Sequence, residues 1–301
     1  MNVKKLWQWQ RPINAAQALR PESITQNFVR TTLGSTVVLL GTLAWLLPSS
    51  IAATPLAQAP TVSAVVPPAI AALVKNWDAA ASRKDLDSTM KFYSPSFTHA
   101  DGLDFKTQQQ ALQTFWKDAT SIQYQTQINS LKAEPQNRYT LETTTTLSGV
   151  RKAADRDMKL TSTVRSRLVI ADQKIVSQEV LSEQTRLTAG DTPPNVNISL
   201  PEQVNVGQTF SFDAVVKEPL GDDLLLGSAL EEPISVERYL QPAVITLEPL
   251  TSGGIFKTGQ APQQPTRKWI SAVLIKNGGM TIVSQRLNVV RPNGSATPAP
   301  Q

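Results

Sequence analysis

Between residues 121 and 187 the chain alternates apolar and polar positions with a period of two. Ile122, Tyr124, Thr126 and Ile128 share one side of the first run, and Gln123, Gln125, Gln127 and Asn129 the other. Tyr139, Leu141, Thr143, Thr145 and Leu147 align in a second run, and Met158, Leu160, Val164, Leu168 and Ile170 in a third; 174–187 forms a fourth. Pro135-Gln136-Asn137, a charged loop over 149–156 and Ala171-Asp172-Gln173 separate them. This pattern predicts four long antiparallel strands with one covered face and one wet face. Ahead of them the rhythm is helical. Ile70, Leu73, Val74, Trp77 and Ala81 fall on one face of a helix that starts after Pro68. A short second helix carries Leu86, Met90 and Tyr93, with an Asp as N-cap, and Pro95 ends it. Residues 96–100 predict a short strand and Asp101-Gly102 a turn. A third helix over 107–119 aligns Ala111, Leu112, Phe115 and Trp116.

After Gly190-Asp191-Thr192-Pro193-Pro194 the pattern changes to short strands at regular spacing: 196–200, 208–217, 234–240, 243–249, 267–276 and 280–290. Gly221-Asp222-Asp223, Ser252-Gly253-Gly254 and Asn277-Gly278-Gly279 punctuate them. Strands spaced this way predict an all-β sandwich.

Two resemblances sharpen this outline. Trp77-Asp78 on the first helix, Lys84-Asp85-Leu86 opening the second, Phe92-Tyr93-Ser94-Pro95-Ser96-Phe97, and Ala111-Leu112 with Phe115-Trp116 resemble the nuclear-transport-factor-2-like superfamily over residues 68–188. That resemblance implies a fold in which helices pack on a curved antiparallel sheet to form a cone with an open mouth. The superfamily holds dehydratases, isomerases and cyclases beside many non-catalytic binding modules, so it implies a fold more than an activity. Leu200-Pro201 and Val206-Gly207-Gln208-Thr209-Phe210-Ser211-Phe212-Asp213 are similar to the opening of immunoglobulin-like modules in bacterial surface proteins. The expected fold class is therefore an α+β cone, 68–188, plus an all-β immunoglobulin-like sandwich, 196–291. A linker over 189–195 joins them and a frayed tail occupies 292–301.

The N-terminal 52 residues set the expected compartment. Leu33 to Leu47 carries no charge. As a helix it spans about 22 Å, against about 30 Å of bilayer hydrocarbon, which suits a signal-peptide core and is short for a membrane span. Pro48 ends it, and Ser50 and Ala52 suit a cleavage site. Lys4, Lys5, Arg11, Arg20 and Arg30 precede or flank the run, as a cytoplasmic flank would. The expectation is a cleaved signal peptide or a retained anchor over 1–52. An Ala/Pro-rich spacer occupies 53–67, with the folded part exported across the inner membrane. The formal charge of +5 then resides mostly in the flank, so the folded part lacks the basic footprint of a nucleic-acid binder.

Candidate chemistry is sparse. There is no cysteine, hence no disulfide and no thiolate metal site. The single histidine, His99, lies close to Asp101 and Asp104. That pair is the nearest approach to an acid–base site, and a solvated turn is its plainer reading. Trp77, Tyr93, Trp116 and Tyr124 either line a ligand pocket or form core. Leu224, Leu225 and Leu226, behind Asp222-Asp223, either close a loop or present an apolar tip to a partner. No cofactor or metal is expected. The function read from the residues is an exported or membrane-anchored binding or assembly protein, contacting an unknown protein partner or a small apolar ligand. The alternative is a small-molecule lyase or isomerase using the cone cavity.

Overall fold

A computed structural model describes residues 66–153, 156–221, 223–241 and 246–292, all within one unit, Ser63–Gln301. The expected signal or anchor segment and most of its spacer lie outside the described residues. Among the described residues no helix is long and apolar enough to cross a membrane.

The first half contains α1 (Pro68–Ser82), α2 (Leu86–Met90), β1 (Tyr93–His99), α3 (Phe105–Lys117), β2 (Ala119–Glu134), β3 (Arg138–Ala153), β4 (Arg156–Ala171) and β5 (Lys174–Gly190). Asp85 caps α2 by accepting from the Ser88 N–H, and Asp104 forms a capping box with Thr107 on α3. β2 to β5 form an antiparallel meander in sequence order. Asp172 and Gln173, both with positive φ, make the two-residue turn that joins β4 to β5. One face of the meander buries Leu141, Leu168, Ile170 and Ile175 under Ile70, Leu73, Val74, Met90 and Phe97. Each such side chain contributes about 1.5–3 kcal/mol on burial. A bulge between Ile128 and Ser130 breaks the period of two, so that Ile128 and Leu131, three residues apart, both reach this core.

The second half contains β6 (Val196–Ser199), β7 (Gln203–Asn205), β8 (Thr209–Val216), β9 (Leu226–Pro233), α4 (Val236–Leu240), β10 (Glu248–Pro249), β11 (Gly254–Gln260), β12 (Thr266–Lys276) and β13 (Gly279–Val290). A small sheet, β11-β8-β6, packs Phe210, Phe212, Ala214 and Ile255 against Ile270, Ala272, Leu274, Val283 and Leu287 of β12 and β13. This is a two-sheet sandwich. The segment 234–240, expected as a strand, holds the short helix α4 instead, because Ser235 caps it by accepting from the Arg238 N–H.

The expected cone is overturned. Three helices do cover part of the meander, but the protein is mainly antiparallel strand, and the large sheet does not end at β5. Among the described residues it runs β10-β9-β12-β13-β5-β4-β3-β2, with β1 and β7 alongside. β4 occupies one edge of β5. The other edge pairs first with β1 in parallel, up to Gln178, and then with β13 antiparallel, from Gln184 to Gly190. At the far end of that pairing Gly190 has φ +96°, and a Cβ there would lie 2.2 Å from the Gly278 carbonyl oxygen. Only glycine fits so close an approach.

Candidate functional site

Residues 179–183 of β5 lie between the end of β1 and the start of β13 on the same edge. Leu181 forms a bulge there, and its carbonyl accepts from Asn288 Nδ2 at 2.9 Å. Polar side chains from five elements converge on this seam. The turn after β1 delivers Asp101, α4 delivers Tyr239, β12 delivers Arg267 and Trp269, β13 delivers Arg286, and β5 delivers Glu179 and Glu183.

Asp101 is the centre. Arg286 donates to both its oxygens, Nη1 to Oδ1 at 3.1 Å and Nη2 to Oδ2 at 2.8 Å. The Tyr239 hydroxyl donates to Oδ2 at 2.8 Å. Both members of the ion pair are sealed, at 0% and 1% side-chain exposure. Arg267 lies 3.8 Å away through Nε and donates through Nη1 to the Ala100 carbonyl at 2.9 Å. Glu183 accepts from Trp269 Nε1 at 2.9 Å and lies 3.7 Å from Arg286. The Tyr239 and Trp269 rings meet edge to face, 5.0 Å between centroids. Burial pushes the Asp101 carboxyl up, but the hydrogen bonds and charge of Arg286 outweigh it, so the group titrates below the usual carboxylate range. Burial likewise opposes the Arg286 charge, and Asp101 more than offsets it, raising the guanidinium.

His99 belongs to this seam and is buried. Its Nδ1 accepts the Asp101 backbone N–H at 3.0 Å, which places the ring proton of the neutral imidazole on Nε2. Burial pushes its pKa down to about 4 despite the nearby Asp101 charge, with Arg286 and Arg267 adding to the depression. His99 and Asp101 are therefore together, as their spacing suggested, but inside the protein rather than on a wet rim. Asp104, by contrast, is exposed and serves as the α3 cap. Arg286 engages both Asp101 oxygens and Tyr239 also engages Oδ2, so the pair acts as a clasp between the halves. Among the described residues no group of carboxylates and histidines could hold a metal.

The four aromatic candidates do not form one pocket. Trp77 and Tyr93 meet edge to face at 6.0 Å in the core under α1. Trp116 and Tyr124 form a second pair in a separate cluster, with Trp116 Nε1 donating to the Tyr124 hydroxyl at 2.8 Å. Of the four, Tyr124 lines an open groove.

That groove, of about 740 Å³, runs between α1 and β2. β2 is the terminal strand of the large sheet, and α1 covers part of its free edge. Asp78 Oδ2 accepts the Thr126 N–H at 2.6 Å and Oδ1 accepts the Thr126 hydroxyl at 2.7 Å; Ser82 Oγ accepts the Tyr124 N–H at 2.9 Å. Helical side chains thus take the hydrogen bonds that a neighbouring strand would take. Val66, Val74 and Ile128 give the groove apolar walls, and Lys75 sits at its exposed side. Burial raises the Asp78 pKa against the lowering effect of Thr126. Sequence patterning missed this site, although Asp78 interrupts the apolar face of α1 immediately after Trp77.

The leucine trio is divided. Leu225 is 1% exposed in the sandwich core, Leu226 enters β9, and Leu224 stands 65% exposed. An apolar tip of three leucines is thus reduced to one side chain. Leu225→Ala is expected to cost about 2–5 kcal/mol in urea denaturation and Leu224→Ala less than about 0.5. Equal costs would contradict this placement.

A family model described as a domain of unknown function (DUF8623) matches residues 191–290, which hold β6 to β13. No curated protein matches the chain. Among solved structures, Bdellovibrio bacteriovorus Bd1075 is similar over 37% of this chain at 14% identity, with a TM-score of 0.28. The similarity spans 39% of that protein's own length. A hypothetical protein from Catenulispora acidiphila with a ketosteroid isomerase-like fold, in complex with trimethylamine, is similar over 36% of this chain and 82% of its own. Its identity is also 14% and its TM-score 0.27. Both are distant neighbours, and superpositions this shallow carry no functional argument.

Proposed function

We propose that the protein is an exported or membrane-anchored binding module that catalyses no reaction and uses the α1/β2 groove as its contact site. The observation that carries this reading is the position of His99. The chain's one side chain suited to proton transfer near neutral pH is buried in the seam, bonded to the Asp101 backbone, and does not line the groove. The basic flank and short apolar run at the N-terminus support export. A second reading, a lyase or isomerase, has Asp78 behind it, a half-buried carboxyl with a raised pKa in an open groove. Against it, Trp116 engages the hydroxyl of Tyr124, which shares the groove with Asp78.

Complementation of a strain lacking the protein tests the choice. His99→Asn retains an acceptor for the Asp101 N–H and is expected to complement. Ala79→Trp fills the groove from an exposed helix position and is expected to fail while the variant still accumulates. Loss with His99→Asn at normal abundance, or full activity with Ala79→Trp, overturns the proposal. Intact-mass measurement of fractions tests export, and full-length protein confined to the soluble cytoplasm would exclude it.

A further inference from the structure

We infer that the α1/β2 groove binds a primary ammonium group carried on an apolar stem, with Asp78 as the anchoring carboxylate. The inference rests on the groove being the binding site. Asp78 is half-buried, and its partners among the described residues are the Thr126 amide and hydroxyl, one on each oxygen. A carboxylate oxygen has two acceptor sites, so one remains on each. No cation pairs with Asp78 among the described residues. Lys75, one turn earlier on the helix, is exposed and forms no ion pair there. A half-buried carboxylate without a cationic partner is a desolvated charge whose cost a donor cation would offset. The walls select the stem attached to the cation. Val66, Val74 and Ile128 are apolar and suit methylene groups. Three N–H donors on one nitrogen can serve both free Asp78 sites, which a quaternary ammonium cannot do. Lys75 repels the same ligand from the rim and limits its affinity.

The test uses full-length protein labelled with 15N-threonine, titrated with n-pentylammonium while the Thr126 amide signal is followed. A saturable shift is expected, with 1-pentanol and tetramethylammonium at least tenfold weaker. Asp78→Asn is expected to weaken binding at least tenfold. Lys75→Met, an exposed change that leaves the Thr126 bonds in place, is expected to strengthen it about two- to fivefold by removing a like charge. Equal binding of 1-pentanol, unchanged affinity in Asp78→Asn, or weaker binding in Lys75→Met each overturns the inference. The Ala79→Trp complementation result separates the two claims. If pentylammonium fails to bind while Ala79→Trp still abolishes complementation, the groove remains the contact site and the ammonium assignment is lost. If pentylammonium binds and Ala79→Trp complements, the assignment stands and the proposed role of the groove is lost.

Discussion

Replacing Arg286 with Met is expected to cost about 3–5 kcal/mol of stability, the largest effect of any single polar substitution in this protein. Methionine fills a similar volume, so the loss comes from charge rather than from a void. It leaves the Asp101 carboxylate buried with the Tyr239 hydroxyl as its remaining close side-chain donor and Arg267 at 3.8 Å. Removing the acid as well, as Asp101→Leu with Arg286→Met, should recover much of the loss, because the pair opposes its own desolvation as well as stabilising the seam. Urea denaturation of the two single variants and the double variant gives the coupling. If Arg286→Met costs less than about 1 kcal/mol, the seam is not sealed and the buried-pair penalty does not apply to it.

Acidification is expected to weaken the protein by about 3 kcal/mol between pH 7 and pH 4, through His99 alone. The folded pKa is depressed from 6.5 to about 4, so between those values the unfolded chain binds a proton that the folded one refuses. Stability is complete above 6.5 and declines as pH falls towards 4, at about 1.4 kcal/mol per pH unit. Asp101 contributes in a lower window. Its stabilisation is present above the ordinary carboxylate value and is lost as pH falls through the depressed folded value. His99→Asn should flatten the upper window and leave the lower one in place. A parallel decline in His99→Asn, measured by urea midpoints from about pH 7 to about pH 4.5, would show that another group carries the upper window.

The strands of the meander were legible because each buries one face and wets the other. The helices were legible because their apolar positions fall on one side and the caps of α2 and α3 are Asp residues. The seam was not. Arg286 shares its strand face with Ser284 and Asn288, so a period-2 reading assigns it to a wet face and has no means of marking it as buried without knowing that Asp101, 185 residues away, is its partner. β5 also hid its role, since the Leu181 bulge shifts its alternation halfway along. β9 and β11 were missed because Gly227, Gly254 and Gly259 sit in strands where a Cβ would collide with a neighbour, while glycine in sequence reads as a turn. The cone expectation failed for a related reason. Local pattern placed four long strands and three helices in the right order, although Tyr93 and Pro95, expected to finish the second helix, belong to β1, and 149–153, expected as loop, belongs to β3; it said nothing of what would join the free edge of β5.

That free edge bears on the order in which the chain can fold. Residues 184–190 of β5 find their second partner in 279–285, roughly a hundred residues further on, and pairings of such long sequence separation form slowly. The meander can form early, but Asp101 must wait for a guanidinium 185 residues further along the chain. During that interval residues 184–190 of β5 offer an unpaired edge, the kind that templates non-productive strand pairing until β13 covers it.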